Sequence, residues 1–246
     1  MKAIITEDYA TLSRTTAATV AAFIRANPDT LICLAAGDTP LGAFNELLKM
    51  QDAGEVDLSS VYYAGLDEWV GLGPADKGSC YQVMFDNFYT PARIPRSRIH
   101  VFDGLANPDT ECATMNTWLA SHGGLALALL GVGMNGHVGF NEPDAPDAAD
   151  ALTVPLDNVT KAVSVKYFDK TQPVTTGVTL GLSALRKARQ VLVMASGEKK
   201  APIIKAAFAT PPTPSNPASM LQGHRDLVLL LDKKAARDLN HYSIFI

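Results

Sequence analysis

The stretch Thr30–Phe44 reads TLICLAAGDTPLGAF and contains the signals that decide the fold. Its first six residues, Thr30–Ala35, form a continuous apolar run, which is typical of a parallel β-strand covered on both faces. Gly37 to Pro40 interrupt this run, and Leu41–Met50 then follow a helical pattern. A buried strand that turns directly into a helix predicts an α/β fold in which helices connect parallel strands.

The same alternation of apolar runs and amphipathic segments continues along the chain. The apolar runs predict further strands at Lys2–Thr6, Val61–Leu66, Ala126–Gly131, Gln190–Ala195 and Asp226–Leu231. The amphipathic segments predict further helices at Thr11–Ala26, Asn107–His122, Thr179–Lys187 and Lys199–Ala209. Gly71–Ser79 and Pro143–Asn158 show little regular pattern. This order predicts right-handed crossovers, a mostly parallel sheet with helices on both faces, and a single domain over residues 1–246.

Composition and charge exclude several classes of protein. Hydrophobic residues make up 47% and charged residues 19% of the 246 positions, which is typical of a globular chain with a sizeable core. A formal net charge of -4 gives no electrostatic attraction to nucleic acid or to an anionic membrane. No signal peptide and no membrane-spanning run is recognisable, so we expect a cytoplasmic protein. Cys33, Cys80 and Cys112 form no CxxC pair, which predicts neither a zinc site nor a disulfide framework.

Polar residues follow the first of three predicted strand ends. Ligands of open parallel sheets bind beyond the carboxyl ends of the strands. Gly37 lets the backbone approach an anion, the next helix offers unpaired N–H groups, and Thr39 adds a hydroxyl. The alternative is an ordinary turn in which Asp38 or Thr39 caps the helix.

Two acidic residues, Asp67 and Glu68, follow the strand Val61–Leu66 directly. Burial would raise the pKa of either carboxyl group, and such a carboxylate can remove a proton from carbon beside a carbonyl. The alternative is a solvated acidic turn that caps the next element. Because the pair lies at the same sheet edge as Gly37, we favour the functional interpretation.

The third strand end carries the strongest signal, since Val132–Pro143 read VGMNGHVGFNEP around one histidine. His137 is suited to proton transfer near neutral pH. Glu142 can orient it or balance its charge, and Asn135 can hydrogen-bond it without adding charge. The alternative is a core histidine that donates to a backbone carbonyl.

Lysines lie downstream at positions suited to binding an anion. Lys166 lies between a loop and the segment Thr175–Leu182, and Lys199 and Lys200 follow the strand Gln190–Ala195. Each can neutralise a phosphate as a point charge. The alternative is that they are solvated lysines at helix starts.

Together these segments resemble the glucosamine-6-phosphate deaminase/isomerase family. The motifs that carry the resemblance are, in the family's order, AAGDTPLGAF, GLDEWVGL, GVGMNGHVGFNEP, SGEKKA and PASMLQGH. The resemblance implies a three-layer α/β/α fold with a mostly parallel, Rossmann-like sheet. It also implies isomerisation with deamination of a 2-amino-2-deoxyhexose 6-phosphate, with glucosamine 6-phosphate, converted to fructose 6-phosphate and ammonia, as the first candidate. This chemistry uses no cofactor and no metal.

The resemblance also implies residue roles. Asp67 is the implied base that moves a proton between C2 and C1, and His137 is the group that opens the sugar ring. Asn135 and Glu142 are implied to hold this histidine. The implied phosphate-binding residues are Gly37, Asp38, Thr39, Lys166 and Lys200.

Two residues depart from the family pattern. Asn135 stands where many members have Asp, and an amide cannot stabilise an imidazolium by charge, which leaves more of that work to Glu142. Lys166 stands where many members have Arg, so the bidentate geometry of a guanidinium is lost. The segments LDEW, ICLAAGDTPL and PVTTGVTLGL are also similar to those of galactosamine-6-phosphate deaminases. The C4 configuration of the substrate therefore stays open.

Two further functions stay open beside the two amino-sugar phosphates. A 6-phosphogluconolactonase would share the GxTP segment and the GH-containing loop, although its loop does not continue as FNEP. A non-catalytic sugar-phosphate-binding domain is the other. As the effector domain of a transcription regulator it would need a DNA-binding module, for which we expect no room before a first strand at Lys2; as a catalytically weakened relative it would not be expected to retain Asp67, His137 and Glu142.

Hexameric members of the family carry cationic side chains shortly after the FNEP block, where they bind an allosteric sugar phosphate. In this chain the segment Pro143–Thr160 contains no Lys, Arg or His. We therefore expect a monomer or small homo-oligomer that binds a small-molecule sugar phosphate.

Overall fold

The structure, a computed structural model, describes residues 1–164, 166–168 and 174–239. Its strands are β1 (Lys2–Thr6), β2 (Leu31–Leu34), β3 (Tyr62–Ala64), β4 (Asp67–Trp69), β5 (Ile99–His100), β6 (Leu125–Leu130), β7 (Ala151–Pro155), β8 (Thr176–Leu180), β9 (Gln190–Ala195) and β10 (Leu227–Asp232). Its α-helices are α1 (Tyr9–Ala26), α2 (Leu41–Asp52), α3 (Cys80–Met84), α4 (Pro108–Ser121), α5 (Asn158–Ser164), α6 (Leu182–Lys187) and α7 (Ala201–Phe208). A π-helical turn, Phe85–Tyr89, continues α3.

The main sheet has seven strands in the order β1-β10-β9-β6-β2-β3-β5, and neighbouring strands run parallel. From β2 the chain proceeds outward to β3 and β5, whereas from β6 it proceeds the opposite way to β9 and β10. The direction of winding therefore reverses between the neighbouring strands β2 and β6. In doubly wound sheets this is the point at which ligands bind.

Side chains from alternate positions of each central strand enter two separate cores. In β2, Leu31 and Cys33 belong to a core that includes residues of α4, α6 and α7. Ile32 and Leu34 belong to a core on the other face, which includes residues of α1 and α2. Both faces are covered, and for this reason the strand is apolar at every position. The predicted fold class, a three-layer α/β/α single domain with a mostly parallel sheet, is confirmed.

A second, antiparallel sheet has the order β4-β8-β7 and was not predicted. The predicted helix Thr179–Lys187 is wrong in its first residues, because Thr179 pairs with Asp67 in this sheet and the helix begins at Leu182. The segment 143–158, interpreted as irregular, contains β7. Both errors have one cause, since these short strands are paired by residues far away in the sequence.

Local signals explain where the longer helices begin. The Asp8 side chain accepts from the backbone N–H of Thr11 at the start of α1. Asn107 caps α4 in the same way and is followed by Pro108. Among the described residues, no helix has both the length and the apolar character needed to cross a bilayer. That the domain extends over all of residues 1–246 stays a prediction, since residues 240–246 lie outside the described part.

Candidate active site

A cleft of about 780 Å³ opens at the carboxyl ends of the central strands. Its walls come from the loops after β2, β6 and β9, and from the segment where β3 leads into β4. The predicted site residues that line it are Gly37, Asp38, Thr39, Asp67, His137, Lys166 and Lys200. The structure therefore brings together candidates that are up to 163 positions apart in the sequence. Asn135 and Glu142 lie behind His137 rather than on the cleft wall.

Asp67 is the first residue of β4 and lines both the cleft and a smaller side chamber of about 130 Å³. Trp69, Cys80 and Phe140 are among the residues that form the chamber wall. Burial in these surroundings raises the pKa of Asp67 to about 6, while a hydrogen bond with the Cys80 thiol and the charge of His137 act in the opposite direction. A carboxyl group with this pKa can exchange a proton near neutral pH.

Glu68 has a different role from its neighbour, because successive residues of a strand point to opposite sides. Its side chain is buried and accepts from the backbone N–H groups of Cys80, at 2.9 Å, and Tyr81, at 2.7 Å. These groups lie at the start of α3. Glu68 therefore binds the start of the next helix but is buried rather than solvated, whereas Asp67 faces the cleft.

His137 lies in the glycine-rich loop after β6, and its ring packs against Gly133. A Cβ atom at position 133 would lie 2.3 Å from Nε2 of His137, so only glycine leaves room for the ring. Nδ1 of His137 lies 3.0 Å from the Thr160 hydroxyl oxygen and 3.5 Å from a Glu142 carboxylate oxygen. These contacts are made with side chains, unlike those of the core histidine considered as the alternative.

Glu142 places a negative charge behind His137. Its side chain is only 4% exposed. Burial would raise the pKa of Glu142, but hydrogen bonds from His137, Thr160 and Asn135 outweigh burial and hold the pKa below its usual value. The Asn135 amide nitrogen donates to Glu142 at 2.9 Å and to Asp157 at 3.3 Å. Asn135 thus links two carboxylates, and its own carbonyl oxygen accepts from the His137 backbone N–H at 3.2 Å.

The turn after β2 forms a further part of the cleft wall. Gly37 has φ +115, and the space where a Cβ would stand is open, with no atom within 4 Å. No side chain caps α2, so the helix-capping interpretation of Asp38 and Thr39 is not observed. Instead, the Tyr9 hydroxyl accepts from the backbone N–H of Gly42 at 2.9 Å and donates to the carbonyl oxygen of Thr39 at 3.0 Å. Tyr9 therefore fixes this turn to α1.

Three lysines line the cleft: Lys166, Lys199 and Lys200. Lys200 donates to the carbonyl oxygen of Val132, and burial, followed by the charge of Lys166, lowers the pKa of Lys200. Nζ of Lys166 lies 2.8 Å from a carboxylate oxygen of Asp38. Partial burial would lower the pKa of Lys166, but the pair with Asp38 outweighs it and the pKa is raised. Asp38 therefore lies in the predicted phosphate site as an acceptor.

Sequence reasoning missed several supporting residues. Thr160, Asp157 and Tyr9 are brought to the site only by the tertiary fold. Asp232 ends β10, and its carboxylate accepts from the Ser196 hydroxyl at 2.6 Å within the turn that precedes Lys200. The strand-end rule applied to β10 could have found it. Within residues 1–164, 166–168 and 174–239, no three His, Cys, Asp or Glu side chains are grouped so as to hold a metal ion.

Comparison with known proteins gives matches over almost the entire chain. The family model of glucosamine-6-phosphate isomerases/6-phosphogluconolactonase matches residues 6–229. A glucosamine-6-phosphate deaminase of Lachnoclostridium phytofermentans is 38% identical over 234 residues, which cover 94% of this chain and 98% of the relative. One from Thermoanaerobacter sp. (strain X514) is 36% identical over 238 residues, covering 96% and 94%.

Solved structures give the same result. The structure of a monomeric glucosamine-6-phosphate deaminase matches with a TM-score of 0.93 and 29% identity, covering 97% of this chain and 100% of the other. A 6-phosphogluconolactonase from Trypanosoma brucei matches with a TM-score of 0.78 over 97% and 98% of the two chains, but its 19% identity shows a shared fold alone. With its sequence motifs, its fold and its relatives in agreement, the chain belongs to the family of glucosamine-6-phosphate isomerases and 6-phosphogluconolactonases.

Proposed function

We propose that this protein is a glucosamine-6-phosphate deaminase, which converts glucosamine 6-phosphate and water into fructose 6-phosphate and ammonia. The observation that carries the proposal is the placement of Asp67, with a pKa of about 6, in one cleft with His137 and two lysines. A base, a ring-opening group and an anion site are the three parts that this reaction needs. Glucosamine-6-phosphate deaminases that are 36–38% identical to this chain support the same assignment.

The phosphate of the substrate binds at the Gly37 turn. Its negative charges face the start of α2 and the ammonium groups of Lys200 and Lys166. The backbone can approach the phosphate closely because Gly37 has no side chain. Anchoring the phosphate fixes the rest of the sugar along the cleft towards Asp67 and His137.

His137 opens the pyranose ring. It takes the proton of the anomeric hydroxyl at C1 and returns a proton to the ring oxygen as the C1–O5 bond breaks. Glu142 lies behind the imidazole and stabilises the positive charge that develops on it. The product of this step is the open-chain aldehyde, still bound through its phosphate.

Asp67 then carries out the isomerisation. As a carboxylate it removes the proton from C2, the electrons move towards the C1 carbonyl, and the C1 oxygen takes a proton from the substrate's own ammonium group to give an enolamine. The protonated carboxyl group returns the proton to C1, which leaves an iminium group at C2. Water adds to C2, ammonia leaves, and the C2 carbonyl of fructose 6-phosphate remains.

The assembly and location belong to the same proposal. We place the enzyme in the cytoplasm as a monomer or small homo-oligomer that binds neither nucleic acid nor membranes. The structural neighbour described as monomeric supports this view, and so does the formal net charge of -4. Sedimentation of the purified protein at several concentrations tests the assembly.

The deciding experiment measures ammonia release from glucosamine 6-phosphate, with galactosamine 6-phosphate in parallel. Ammonia from the first sugar together with fructose 6-phosphate supports the proposal. Ammonia from the second sugar alone would keep the mechanism but assign the enzyme to the C4 epimer. Hydrolysis of 6-phosphogluconolactone without ammonia release would replace the proposal with lactonase activity, and binding without any turnover would leave a sugar-phosphate-binding domain.

A further inference from the structure

Asp38 places a carboxylate at the end of the cleft that is otherwise cationic. One of its oxygens lies 2.8 Å from Nζ of Lys166, and the side chains are 68% and 51% exposed, respectively. Both residues line the cleft. The proposed phosphate site, which would attract phosphate through the positive charges of its lysines, therefore also contains the negative charge of Asp38.

Three charged residues influence one another here: Asp38, Lys166 and Lys200. Besides burial, the positive charge of Lys166 lowers the pKa of Lys200, whereas the negative charge of Asp38 raises it. Asp38 is therefore close enough to act on both lysines. Glu198 also lines the cleft, but its carboxylate pairs with Arg237. Asp38 therefore lowers the formal charge of its group with Lys166 and Lys200 from about +2 to about +1, and Lys199, which also lines the cleft, adds one further positive charge.

The position of Asp38 is held by the turn rather than by the ion pair. The Tyr9 hydroxyl fixes the neighbouring Thr39 carbonyl and the Gly42 amide of α2. The Asp38 side chain can therefore leave Lys166 by rotation about its own bonds, without movement of the backbone. An incoming phosphate needs only this rotation.

We propose that Asp38 is an internal competitor for the substrate phosphate, which must displace the Asp38 carboxylate from Lys166 in order to bind. The inference deepens the proposed function, on which it rests for the nature of the ligand. It implies that a bare phosphate ion, which makes contacts only at this end, binds weakly. A sugar phosphate retains further contacts near Asp67 and His137.

The test is a calorimetric titration of the purified protein with inorganic phosphate at pH 8 and low salt. We expect Asp38→Asn to bind phosphate roughly three- to tenfold more tightly than the unsubstituted protein, and high salt to reduce this gain. Asp150→Asn is the matched control, because Asp150 forms an exposed pair with Lys187 at 2.9 Å and lines neither the cleft nor its side chamber. Equal or weaker phosphate binding by Asp38→Asn would overturn the inference, as would an equal gain in the control.

A second comparison tests the involvement of Lys166. In a Lys166→Met background, the gain from Asp38→Asn should shrink, because no ion pair remains to be broken. A gain of the same size in both backgrounds would contradict displacement from Lys166. Since the titration needs no turnover, absence of ammonia release would refute the proposed function while these binding results still decide the role of Asp38.

Discussion

The hydroxyl oxygen of Thr160 lies 3.0 Å from Nδ1 of His137. The same hydroxyl helps to lower the pKa of Glu142, whose carboxylate is 3.5 Å from Nδ1. Thr160 thus acts on both the histidine and the buried negative charge. If Nδ1 carries the proton and donates to this hydroxyl, Nε2 is the nitrogen that accepts a proton from the substrate.

Replacement of Thr160 by Val should therefore lower kcat/KM by about 10–100-fold, because a hydrogen bond to a charged network is lost inside the protein. Thr160→Ser keeps the hydroxyl and should recover most of the activity, which a purely steric role would not explain. The measurement is ammonia release at saturating and limiting substrate. Equal activity of the Val and Ser variants would show that the hydroxyl does not position His137.

Replacement of Asn135 by Asp should impair this enzyme, even though Asp is common at this position in the family. The Asn135 amide donates to both Glu142 and Asp157, so a carboxylate in its place removes two hydrogen bonds and brings three acids together. Like charges would raise the pKa of Glu142. We expect about a tenfold fall in kcat/KM and a lower melting temperature.

The double variant N135D/D157N separates charge from shape at this position. It restores one donor and removes one negative charge, so it should be more active and more stable than N135D alone. Steady-state kinetics and thermal unfolding of both proteins provide the comparison. Higher activity in N135D than in the unsubstituted enzyme would contradict this account.

Asp67→Asn should reduce turnover by roughly 10²–10⁴-fold, because an amide cannot take the C2 proton. Inorganic phosphate should still bind, since the Gly37 turn and the lysines are unchanged. Turnover at the unsubstituted rate would remove Asp67 from the mechanism.

The same variant should be more stable than the parent at pH 8. The folded protein raises the pKa of Asp67 to about 6 from 3.8, so this group favours folding most at low pH, and that advantage is lost as pH rises through 6. Removing the ionised group at pH 8 should gain about 1–2 kcal/mol after allowance for its contact with solvent. Thermal unfolding at a series of pH values should show the gain increase as pH rises from 3.8 to about 6 and level off above that.

The pH dependence of kcat/KM should report the ionisation of Asp67. Activity should rise with pH through about 6, because the base must be ionised in the free enzyme. The Cys80 thiol lowers the pKa of Asp67 through a hydrogen bond, so Cys80→Ala should move this acidic limb to higher pH. Cys112→Ala is the matched control, since that thiol contacts Thr153 outside the cleft. An unmoved limb in Cys80→Ala would refute the contact.

Lys200→Met should raise KM for the sugar phosphate by about 10–100-fold, because a charged contact with the phosphate is lost. Lys205 lies on α7 just beyond Lys200 but is exposed, and Lys205→Met controls for the loss of one positive charge. A comparable rise in KM for both variants would show that the effect is one of overall charge and not of the site.

The sequence allowed prediction of six of the seven strands of the main sheet, all but β5, and of the cleft, because these depend on local signals. Runs such as Thr30–Ala35 are apolar at every position, and parallel strands place their carboxyl ends at one edge. Knowing that Gly37, Asp67 and His137 each follow such a run was enough to expect them together. The FNEP continuation then indicated which family of reactions to consider.

The parts that could not be predicted depend on contacts between distant residues. Thr179 lies in a strand because Asp67 and Leu152 pair with it, and nothing near it in the sequence indicates either partner. Thr160 reaches His137 across 23 positions, and Cys80 reaches Asp67 through a loop without regular pattern. The direction in which Asp38 turns its carboxylate is likewise decided by Lys166, 128 residues later.

The second sheet has a consequence for how new specificities can arise in this family. Asp67 belongs to the sheet β4-β8-β7, whereas the phosphate grip and the histidine loop follow strands of the main sheet. Under the proposed function, the residues that would hold the substrate and the residue that would move its proton thus belong to separate sheets that meet at the cleft. Substitutions within the small sheet can then move Asp67 relative to a differently shaped sugar while the phosphate site at the Gly37 turn remains unchanged. The fold therefore offers an evolutionary route between substrates along which phosphate binding is kept.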